Sequence, residues 1–344
     1  MFKLRFDFQL HVHIYRDTPS SASVSSSSTT TTTTTFASPM LADYFRKQIE
    51  QVRGEGRFST ASNYGIALRS FLRFLKGENL QLKELTSSLV ARYERWLKSQ
   101  HISRYHLCYM RSLRAVYNKA VEEKLVTDVQ PFKDSYTGYP RTDKRSISVA
   151  DIRKLQEVSL RQGSPLQLVR DIFLFCIFAC GIPFVDVAFL RKSQIDADGY
   201  LTYQRRKTNQ QIRLKLQPCA MEIVRRYDSP DTDYVFPILT CHRPEEAYRQ
   251  YRERLTRYNK QLKQLGHLAG ISHKLTSYVS RHSWASLAYD NHADVSVISK
   301  GLGHTSSRTT YVYIKGIDDT RLDEANQQII NEITGKKTGA PYKR

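Results

Sequence analysis

The sequence predicts a mainly α protein in which a helical bundle precedes a larger, mostly helical domain with one small antiparallel β-hairpin. Apolar residues recur three and four positions apart through most of the chain, which indicates amphipathic helices. Two short segments that follow the turn signal Asp198-Gly199 alternate in polarity, which indicates the hairpin. A stretch after residue 130 contains prolines and a glycine without periodicity, so we expect it to separate two domains.

Changes in composition divide the chain into five segments. Residues 1–39 contain a tract that is almost wholly serine and threonine, and such a tract cannot bury enough apolar surface to fold. We therefore predict a disordered extension at 1–39, a helical domain at 40–130, a linker at 131–146, a second domain at 147–335 and a basic tail at 336–344.

Four helices are predicted in the first domain, each from apolar residues at helical spacing. The marker residues are Tyr44, Ile49 and Val52, then Ala67, Leu68, Phe71, Leu72 and Leu75, then Leu89, Tyr93, Trp96 and Leu97, then Met110, Leu113, Val116, Tyr117 and Val121. Thr86 or Ser87 can cap the third helix, and Ser103 precedes the fourth. The polar faces are basic on several helices, which favours a DNA-facing surface over a merely solvated one.

In the second domain, Ser148 begins a capping box and Ser164-Pro165 starts a buried helix that Gly181 and Pro183 end. The alternating segments are 200–204 and 212–216. Further helices are predicted at 244–268, 275–289, 295–300 and 318–333.

The net charge predicts a polyanionic partner. The chain has 53 Lys and Arg against 33 Asp and Glu, a formal charge of +20. An excess of this size favours binding to phosphates, and together with the basic helices it predicts double-stranded DNA as the partner.

Cysteine usage and hydropathy exclude several other classes. The five cysteines are odd in number and form no CxxC pair, so neither a disulfide framework nor a zinc site is expected. The chain has no run of eighteen apolar residues, and its amino-terminal stretch lacks the apolar centre of a signal peptide. We expect a cytoplasmic protein without a membrane span, a metal or a cofactor.

The carboxyl-terminal third contains residue types suited to phosphoryl transfer. Attack on a phosphodiester needs a nucleophile, cations around the nonbridging oxygens and an acid for the leaving oxygen. Arginine suits the second task because its planar fork never loses its charge, and lysine or histidine suits the third. Arg281, His304 and Tyr313 offer such groups within one short stretch.

In these residues the chain resembles the tyrosine recombinase (phage integrase) family, particularly the short integrases of Bacteroides-type bacteria. The family's His-x-x-Arg-His box is present as Tyr278-Val279-Ser280-Arg281-His282. Its Leu-Gly-His box is present as Leu302-Gly303-His304, and its Thr-Thr-x-x-Tyr box as Thr309-Thr310-Tyr311-Val312-Tyr313. The resemblance implies a SAM-like core-binding bundle followed by a catalytic domain similar to that of type IB topoisomerases.

The resemblance also implies a role for each matching residue. Tyr313 is the expected nucleophile, which forms a 3′-phosphotyrosyl link, with Tyr311 as the rival two residues earlier. Arg281 is expected to bind the scissile phosphate and His304 to hydrogen-bond to it. Lys207 matches the hairpin lysine that protonates the leaving oxygen, although a solvated hairpin tip is the alternative. Because a strand alternates its faces, Arg205 is expected on the same side as Lys207.

Two positions depart from the family pattern. Tyr278 replaces a histidine of the second box, and its phenol can still donate or accept a hydrogen bond. In the first box, the family's catalytic arginine aligns with Pro183, and the alternative position just before the glycine is Cys180. Asp186 matches the acidic residue of this box and is expected to hold the architecture of the site.

The missing guanidinium leaves two possibilities. Either another cation supplies the charge, with Arg205, Arg191 and Lys192 as candidates, or the enzyme is impaired. We predict that Cys180→Arg raises cleavage, because family members with a similar first box resemble Arg-Gly-Met-Pro and place an arginine just before the glycine. No gain would mean that another residue already fills the place.

The leading hypothesis is a site-specific DNA recombinase that acts as a homo-tetramer, with its last helix packed on a neighbouring subunit or on its own domain. The first alternative is a catalytically impaired, integrase-like DNA-binding accessory or regulatory protein. The second is a helical DNA-binding regulator in which these tyrosines and arginines are only structural.

Overall fold

The computed structural model describes residues 38–100, 106–135, 146–312 and 319–334, which form two bodies of helices around separate apolar cores. Residues 1–37 of the predicted extension, residues 136–145 of the predicted linker and the basic tail lie outside the described residues. So do Ser103 and the proposed nucleophile Tyr313.

The first body contains the four predicted helices. They are α1 (Leu41–Gly54), α2 (Phe58–Phe74), α3 (Ser87–Ser99) and α4 (His106–Glu122). The side chain of Thr86 accepts a hydrogen bond from the Leu89 backbone N–H at 3.3 Å, so Thr86 rather than Ser87 caps α3. In the core, the rings of Phe71 and Tyr93 meet edge to face with centroids 4.8 Å apart. Each large apolar side chain buried here stabilises the body by about 1.5–3 kcal/mol.

The second body is also mainly helical. Its helices are α5 (Val149–Glu157), α6 (Pro165–Phe178), α7 (Phe184–Ala188), α8 (Pro218–Arg226), α9 (Pro244–Leu268), α10 (Val279–Asp290), α11 (Val295–Leu302) and α12 (Ser307–Tyr311), followed by α13 (Asp319–Thr334). The central helix α6 packs against α8, α9 and α10. Its Ser164 cap accepts from the Gln167 N–H, and Pro165 occupies the first turn, as predicted.

A two-stranded antiparallel sheet forms the predicted hairpin. Strands β1 (Tyr200–Gln204) and β2 (Gln211–Lys215) pair with Tyr200 opposite Lys215. The strand β1 ends at Gln204; the Arg205 N–H still donates across the hairpin to the Gln210 carbonyl, and the chain then turns through the connecting loop. The alternation that we expected across Arg205 and Lys207 therefore does not apply, since both residues lie in the loop.

The start of α10 differs from the prediction. The helix begins at Val279 and not at residue 275. Leu275 is fully buried, and the Ser277 N–H donates to the side chain of Asn259 on α9 at 2.8 Å. These tertiary contacts hold the preceding residues outside the helix. The helices α7, α8 and α12 were not predicted; α7 and α12 have only five residues each, too few to carry a periodic signal.

Membrane-spanning helices and candidate metal sites are both absent from the residues that the structure describes. Within the described ranges, no helix combines the length and apolar character that a membrane crossing requires. In the same ranges no group of three or more His, Cys, Asp and Glu side chains is arranged to hold a metal ion. The five cysteines are free thiols.

Candidate active site

Arg281 lies on α10, and its side chain is buried against the carboxyl-terminal end of α11. Its side chain is 1% exposed. Its Nη1 donates to the Gly181 carbonyl at 2.8 Å, and its Nη2 donates to the Leu302 carbonyl at 2.5 Å. Gly181 has φ +70°, and a Cβ there would lie 3.3 Å from the Arg281 Cα, so only glycine lets the two segments approach so closely.

His304 follows the glycine that ends α11. Gly303 takes the left-handed conformation with φ +61°, and the His304 N–H donates to the Ser299 carbonyl. The Nη2 of Arg281 lies 3.2 Å from His304 Nε2, and His304 Nδ1 lies 2.9 Å from the Thr310 hydroxyl. A guanidinium only donates, so Nε2 accepts, and Nδ1 carries the hydrogen that it donates to Thr310. The geometry thus selects one neutral tautomer.

The environment of His304 disfavours its protonation. Burial and the positive charges of Arg281, Arg205 and Lys207 lower the pKa of His304 to about 4. The imidazole is therefore neutral at pH 7, in agreement with the tautomer that the hydrogen bonds select.

Arg205 lies in the same cluster. Its side chain is 5% exposed, its Nε donates to Asp186 Oδ2 at 3.1 Å, and its Nη1 donates to the Leu302 carbonyl. The second oxygen of Asp186 accepts from the Arg206 N–H at 3.0 Å. Burial raises the pKa of Asp186, and the Arg206 N–H and the Arg205 guanidinium oppose that rise. Through these two hydrogen bonds, Asp186 on α7 holds the hairpin loop in position beside the cluster.

Lys207 and Tyr278, the other two predicted site residues that the structure describes, are both exposed to solvent. Lys207 is exposed in the hairpin loop, and its charge contributes to the lowered pKa of His304. The neighbouring Thr208 hydroxyl donates to the Gly303 carbonyl at 3.0 Å, which holds this loop beside the glycine turn. Tyr278 is 50% exposed at the start of α10, with its ring centroid 6.3 Å from that of His282.

The short helix α12 leads toward the predicted nucleophile. Thr310 on this helix is fully buried through its contact with His304, whereas Tyr311 is 54% exposed. Tyr313 follows two residues later, outside the described residues. The choice of Tyr313 over Tyr311 therefore stays a prediction from sequence spacing.

The other two candidate cations lie in ion pairs elsewhere. Lys192 is 2.6 Å from Asp228, and Arg191 is 3.9 Å from Asp233 and faces the Tyr234 ring. Of the three candidates named from the sequence, the structure brings only Arg205 into contact with the carbonyl that Arg281 also binds.

Two family models match the chain over most of its length. The phage integrase SAM-like domain matches residues 40–136, and the phage integrase family matches residues 146–318. The chain belongs to the phage integrase family. The resemblance and the mainly helical fold that the sequence predicted are thereby confirmed.

Curated relatives of this integrase include three tyrosine recombinases. XerC of Halalkalibacterium halodurans is 25% identical over 274 residues, covering 77% of this chain and 89% of that protein. XerD of Rhizobium meliloti is 23% identical over 302 residues, covering 83% and 94%. XerA of Pyrococcus furiosus is 27% identical over 183 residues, and the match spans only 59% of that protein and 51% of this chain.

Solved structures of similar fold include lambda integrase in two assemblies. A tetramer bound to a Holliday junction matches with a TM-score of 0.59 and 15% identity, covering 82% of this chain and 79% of that chain. A dimer bound to a COC′ core site matches with a TM-score of 0.58 and 14% identity, covering 90% and 81%. At these identities the similarity shows the fold of the integrase.

The site of this integrase contains two groups that sequence reasoning missed. Thr310 was noted only as part of the terminal box, yet its hydroxyl binds His304 and sets the tautomer of that imidazole. The Leu302 carbonyl accepts from both buried arginines, and no side-chain pattern signals a main-chain acceptor. For Thr310, the only signal in the sequence was its position in the terminal box, three residues before Tyr313.

Proposed function

We propose that this integrase is a site-specific recombinase that cuts and rejoins DNA through a covalent 3′-phosphotyrosyl intermediate at Tyr313. The observation that carries the proposal is the convergence of Arg281, Arg205 and Lys207 on a neutral His304, which precedes Tyr313 by nine residues in the sequence. Positive groups fixed before the reaction stabilise charge that develops on a phosphate, which is the largest catalytic contribution a protein makes to such a step.

In the proposed step, the phenol oxygen of Tyr313 attacks the scissile phosphorus. A bond forms between phosphorus and this oxygen, and the bond between phosphorus and the 5′ oxygen breaks. The proton of the phenol passes to solvent water, and the leaving 5′ oxygen takes a proton from the ammonium of Lys207, which solvent later reprotonates; the step therefore needs no oxidant or reductant. Arg281 balances the negative charge on the nonbridging oxygens. The reverse reaction with a different 5′ hydroxyl rejoins the strand.

The protonation state of His304 changes when DNA binds in the proposed mechanism. The cations around it hold its pKa at about 4 in the free protein. A bound phosphate opposes those positive charges, so the pKa of His304 rises when DNA enters. The Nε2 atom can then take up a proton and donate a hydrogen bond to a nonbridging oxygen, as the family resemblance implies.

Burial of the arginines favours an enzyme over a DNA-binding protein without chemistry. A protein that only binds DNA needs cations at its surface, where phosphates reach them at little cost. Arg281 and Arg205 are 1% and 5% exposed, and burying charges costs several kcal/mol per ion unless they are paired. A cluster of buried guanidinium groups is instead typical of a catalytic site that binds a phosphate shielded from solvent.

The proposed partners are double-stranded DNA and three further copies of the chain. The similar lambda integrase structures are a dimer on a core site and a tetramer on a Holliday junction. On α13, Ile329, Ile330 and Ile333 are exposed, and such an apolar edge suits packing against another subunit.

The experiment uses DNA sites selected by binding from a random-sequence pool of duplexes, each then nicked at successive positions to trap the covalent intermediate. With chelator present, we expect the wild-type protein to form a covalent protein–DNA adduct. Tyr311→Phe should keep adduct formation, and Tyr313→Phe should abolish it.

Three outcomes would contradict parts of this proposal. Absence of any wild-type adduct would refute strand cleavage, and an adduct that forms only with added Mg²⁺ would refute the metal-independent mechanism. If Tyr311→Phe abolished the adduct and Tyr313→Phe retained it, the nucleophile would be Tyr311.

A further inference from the structure

We propose that Arg205 supplies the second guanidinium to the scissile phosphate, in place of the arginine that the first box lacks at Pro183. The proposal rests on the recombinase function proposed above. It makes a residue of the hairpin loop a catalytic residue, although the sequence motif places this role at the start of α7.

Two guanidinium groups meet at one acceptor. Arg205 Nη1 and Arg281 Nη2 both donate to the carbonyl oxygen of Leu302, one from the hairpin loop and one from α10. Two donors within hydrogen-bond distance of one atom lie at most about 6 Å from each other. The two groups therefore lie close enough to bind neighbouring oxygens of one phosphate.

The orientation of Arg205 is set by contacts along one edge of its side chain. Asp186 accepts from Nε, and a Cβ added to Gly303 would lie 3.0 Å from both Cγ and Cδ of Arg205. Within the described part of the chain, no hydrogen bond involves the remaining nitrogen, Nη2. An immobilised guanidinium with a spare donor loses little entropy when it binds an anion.

The charge balance of the cluster also favours a phosphate over a purely structural ion pair. Asp186 divides its two oxygens between Arg205 Nε and the Arg206 N–H, so it does not form the bidentate pair that fully satisfies an arginine. Arg205 and Arg281 are both buried near this one carboxylate, and the exposed Lys207 adds a third positive charge near the neutral His304. The cluster therefore carries excess positive charge in a buried place, which a bound phosphate would compensate.

The location of Arg205 also accounts for the residues at the two usual positions. Cys180 has φ +56° and is half-buried, and Pro183 precedes α7 without any cationic group. With Arg205 already beside Arg281, neither position needs a guanidinium. In contrast to the expectation from the sequence, we therefore expect Cys180→Arg, and likewise Pro183→Arg, to give no gain in cleavage in the wild-type background.

The deciding experiment compares a normal scissile phosphate with a methylphosphonate, in which a neutral methyl group replaces one charged oxygen. We expect Arg205→Ala to cleave the normal phosphate about 100-fold more slowly than wild type or worse. On the neutral methylphosphonate we expect the deficit to shrink to less than about 10-fold, because little charge remains to be balanced. DNA affinity and melting temperature, measured in parallel, separate cleavage from binding and folding.

Arg191→Ala is the matched control, since it removes one guanidinium that lies outside the cluster. Any loss that it causes should be the same factor on both substrates. A purely structural Arg205 predicts this same result for Arg205→Ala, and an equal deficit on both substrates would overturn the proposal. If Arg205→Ala does not fold, Arg205→Lys, which keeps the charge and most of the stem, is compared on the two substrates by the same criterion.

A relocation experiment completes the test. In the Arg205→Ala background, Pro183→Arg should recover cleavage at least about 10-fold, because it returns a guanidinium to the family position. A comparable gain from Pro183→Arg in the wild-type background would show that the place is empty and would refute the role of Arg205. Failure of the wild-type protein itself to form an adduct would instead refute the proposed recombinase function.

Discussion

His304 shows how the surroundings of one residue determine its chemistry. A histidine on a surface titrates near pH 6.5, but burial and neighbouring cations lower the pKa of His304 to about 4. The proton on Nδ1 is held by Thr310, and Nε2 accepts from Arg281. The folded protein thus keeps this imidazole neutral beside Arg281 and Arg205.

This pKa predicts a dependence of stability on pH. In the unfolded chain His304 takes up a proton as the pH falls through about 6.5, whereas in the folded protein it does so only near pH 4. Between these values the unfolded state binds more protons, so the free energy of unfolding decreases as the pH falls. Below about pH 4 both states are protonated, and the contribution becomes constant.

We expect His304→Gln to reduce the loss of stability between pH 7 and pH 4 relative to wild type. Urea unfolding midpoints measured across this range provide the test. His267→Gln removes an exposed histidine of α9, away from the cluster, and should retain the wild-type dependence. Equal slopes for wild type and His304→Gln would show that His304 does not have a lowered pKa in the folded protein.

At the scale of elements, the turn that ends α11 connects three parts of the site. Gly303 is the left-handed residue between α11 and His304, and its carbonyl accepts from Thr208 in the hairpin loop. A Cβ at Gly303 would lie 2.8 Å from the Ile212 Cδ1 of β2 and 3.0 Å from the Arg205 Cδ. The hairpin and the helix therefore approach each other through a glycine.

Gly303→Ala should separate the hairpin from α11 and lower both stability and cleavage. The side chain adds a steric clash to the cost of the left-handed conformation, for a combined loss of about 2–4 kcal/mol. Gly270→Ala is the matched control, because Gly270 has φ +64° but nothing lies within 4 Å of its added Cβ.

Urea denaturation and adduct formation measure the two effects. The difference between the variants isolates the contact with the hairpin. Equal losses of stability for Gly303→Ala and Gly270→Ala, with normal cleavage by both, would mean that the close approach is unimportant.

At the scale of the whole molecule, we expect DNA binding to depend on the total positive charge and on the cleft where the two bodies meet. The chain carries a formal charge of +20, and most of its cations lie outside the buried cluster. The bodies touch where the rings of Phe58 on α2 and Tyr248 on α9 lie 5.4 Å apart, and Arg53 lies 3.7 Å from Glu245. Arg69, Arg249 and Arg252 line the cleft beside this contact.

We expect DNA affinity to fall steeply with salt, because each neutralised phosphate releases counterions when the protein binds. Four or more phosphate contacts predict a loss of about 100-fold or greater between 50 and 200 mM monovalent salt. Fluorescence anisotropy with a labelled duplex measures this slope, and the melting temperature at both salt concentrations serves as the control for folding. An affinity that changes less than about threefold would exclude phosphate contacts as the main source of binding.

Several features of this integrase follow from local sequence patterns. The long, charged helix α9 was predicted at its observed bounds, and in the structure Pro244 occupies its first turn. Ser148 as a cap and Ser164-Pro165 as a helix start were recognised from the sequence, and in the structure both hydroxyls accept from N–H groups of the first turn. The motif residues Arg281, His304 and Tyr313 identified the family, because their spacing is kept within two short segments.

Other features depend on contacts that no local pattern contains. Leu275 was predicted inside α10, but in the structure it lies before the helix begins, and its side chain is buried in the core. The choice of Thr86 over Ser87 as a cap also needed the observed hydrogen bond, since either hydroxyl fits the pattern.

The sequence by itself determined the family, most of the helices and the residue types of the site. Only the tertiary structure decided which cation joins Arg281, because Arg205 reaches the Leu302 carbonyl across 97 positions of the chain. It also decided the charge of His304, since burial and three cations from distant segments act on the imidazole together. Periodicity and capping are local properties, whereas convergence of charges and desolvation arise only when remote segments pack.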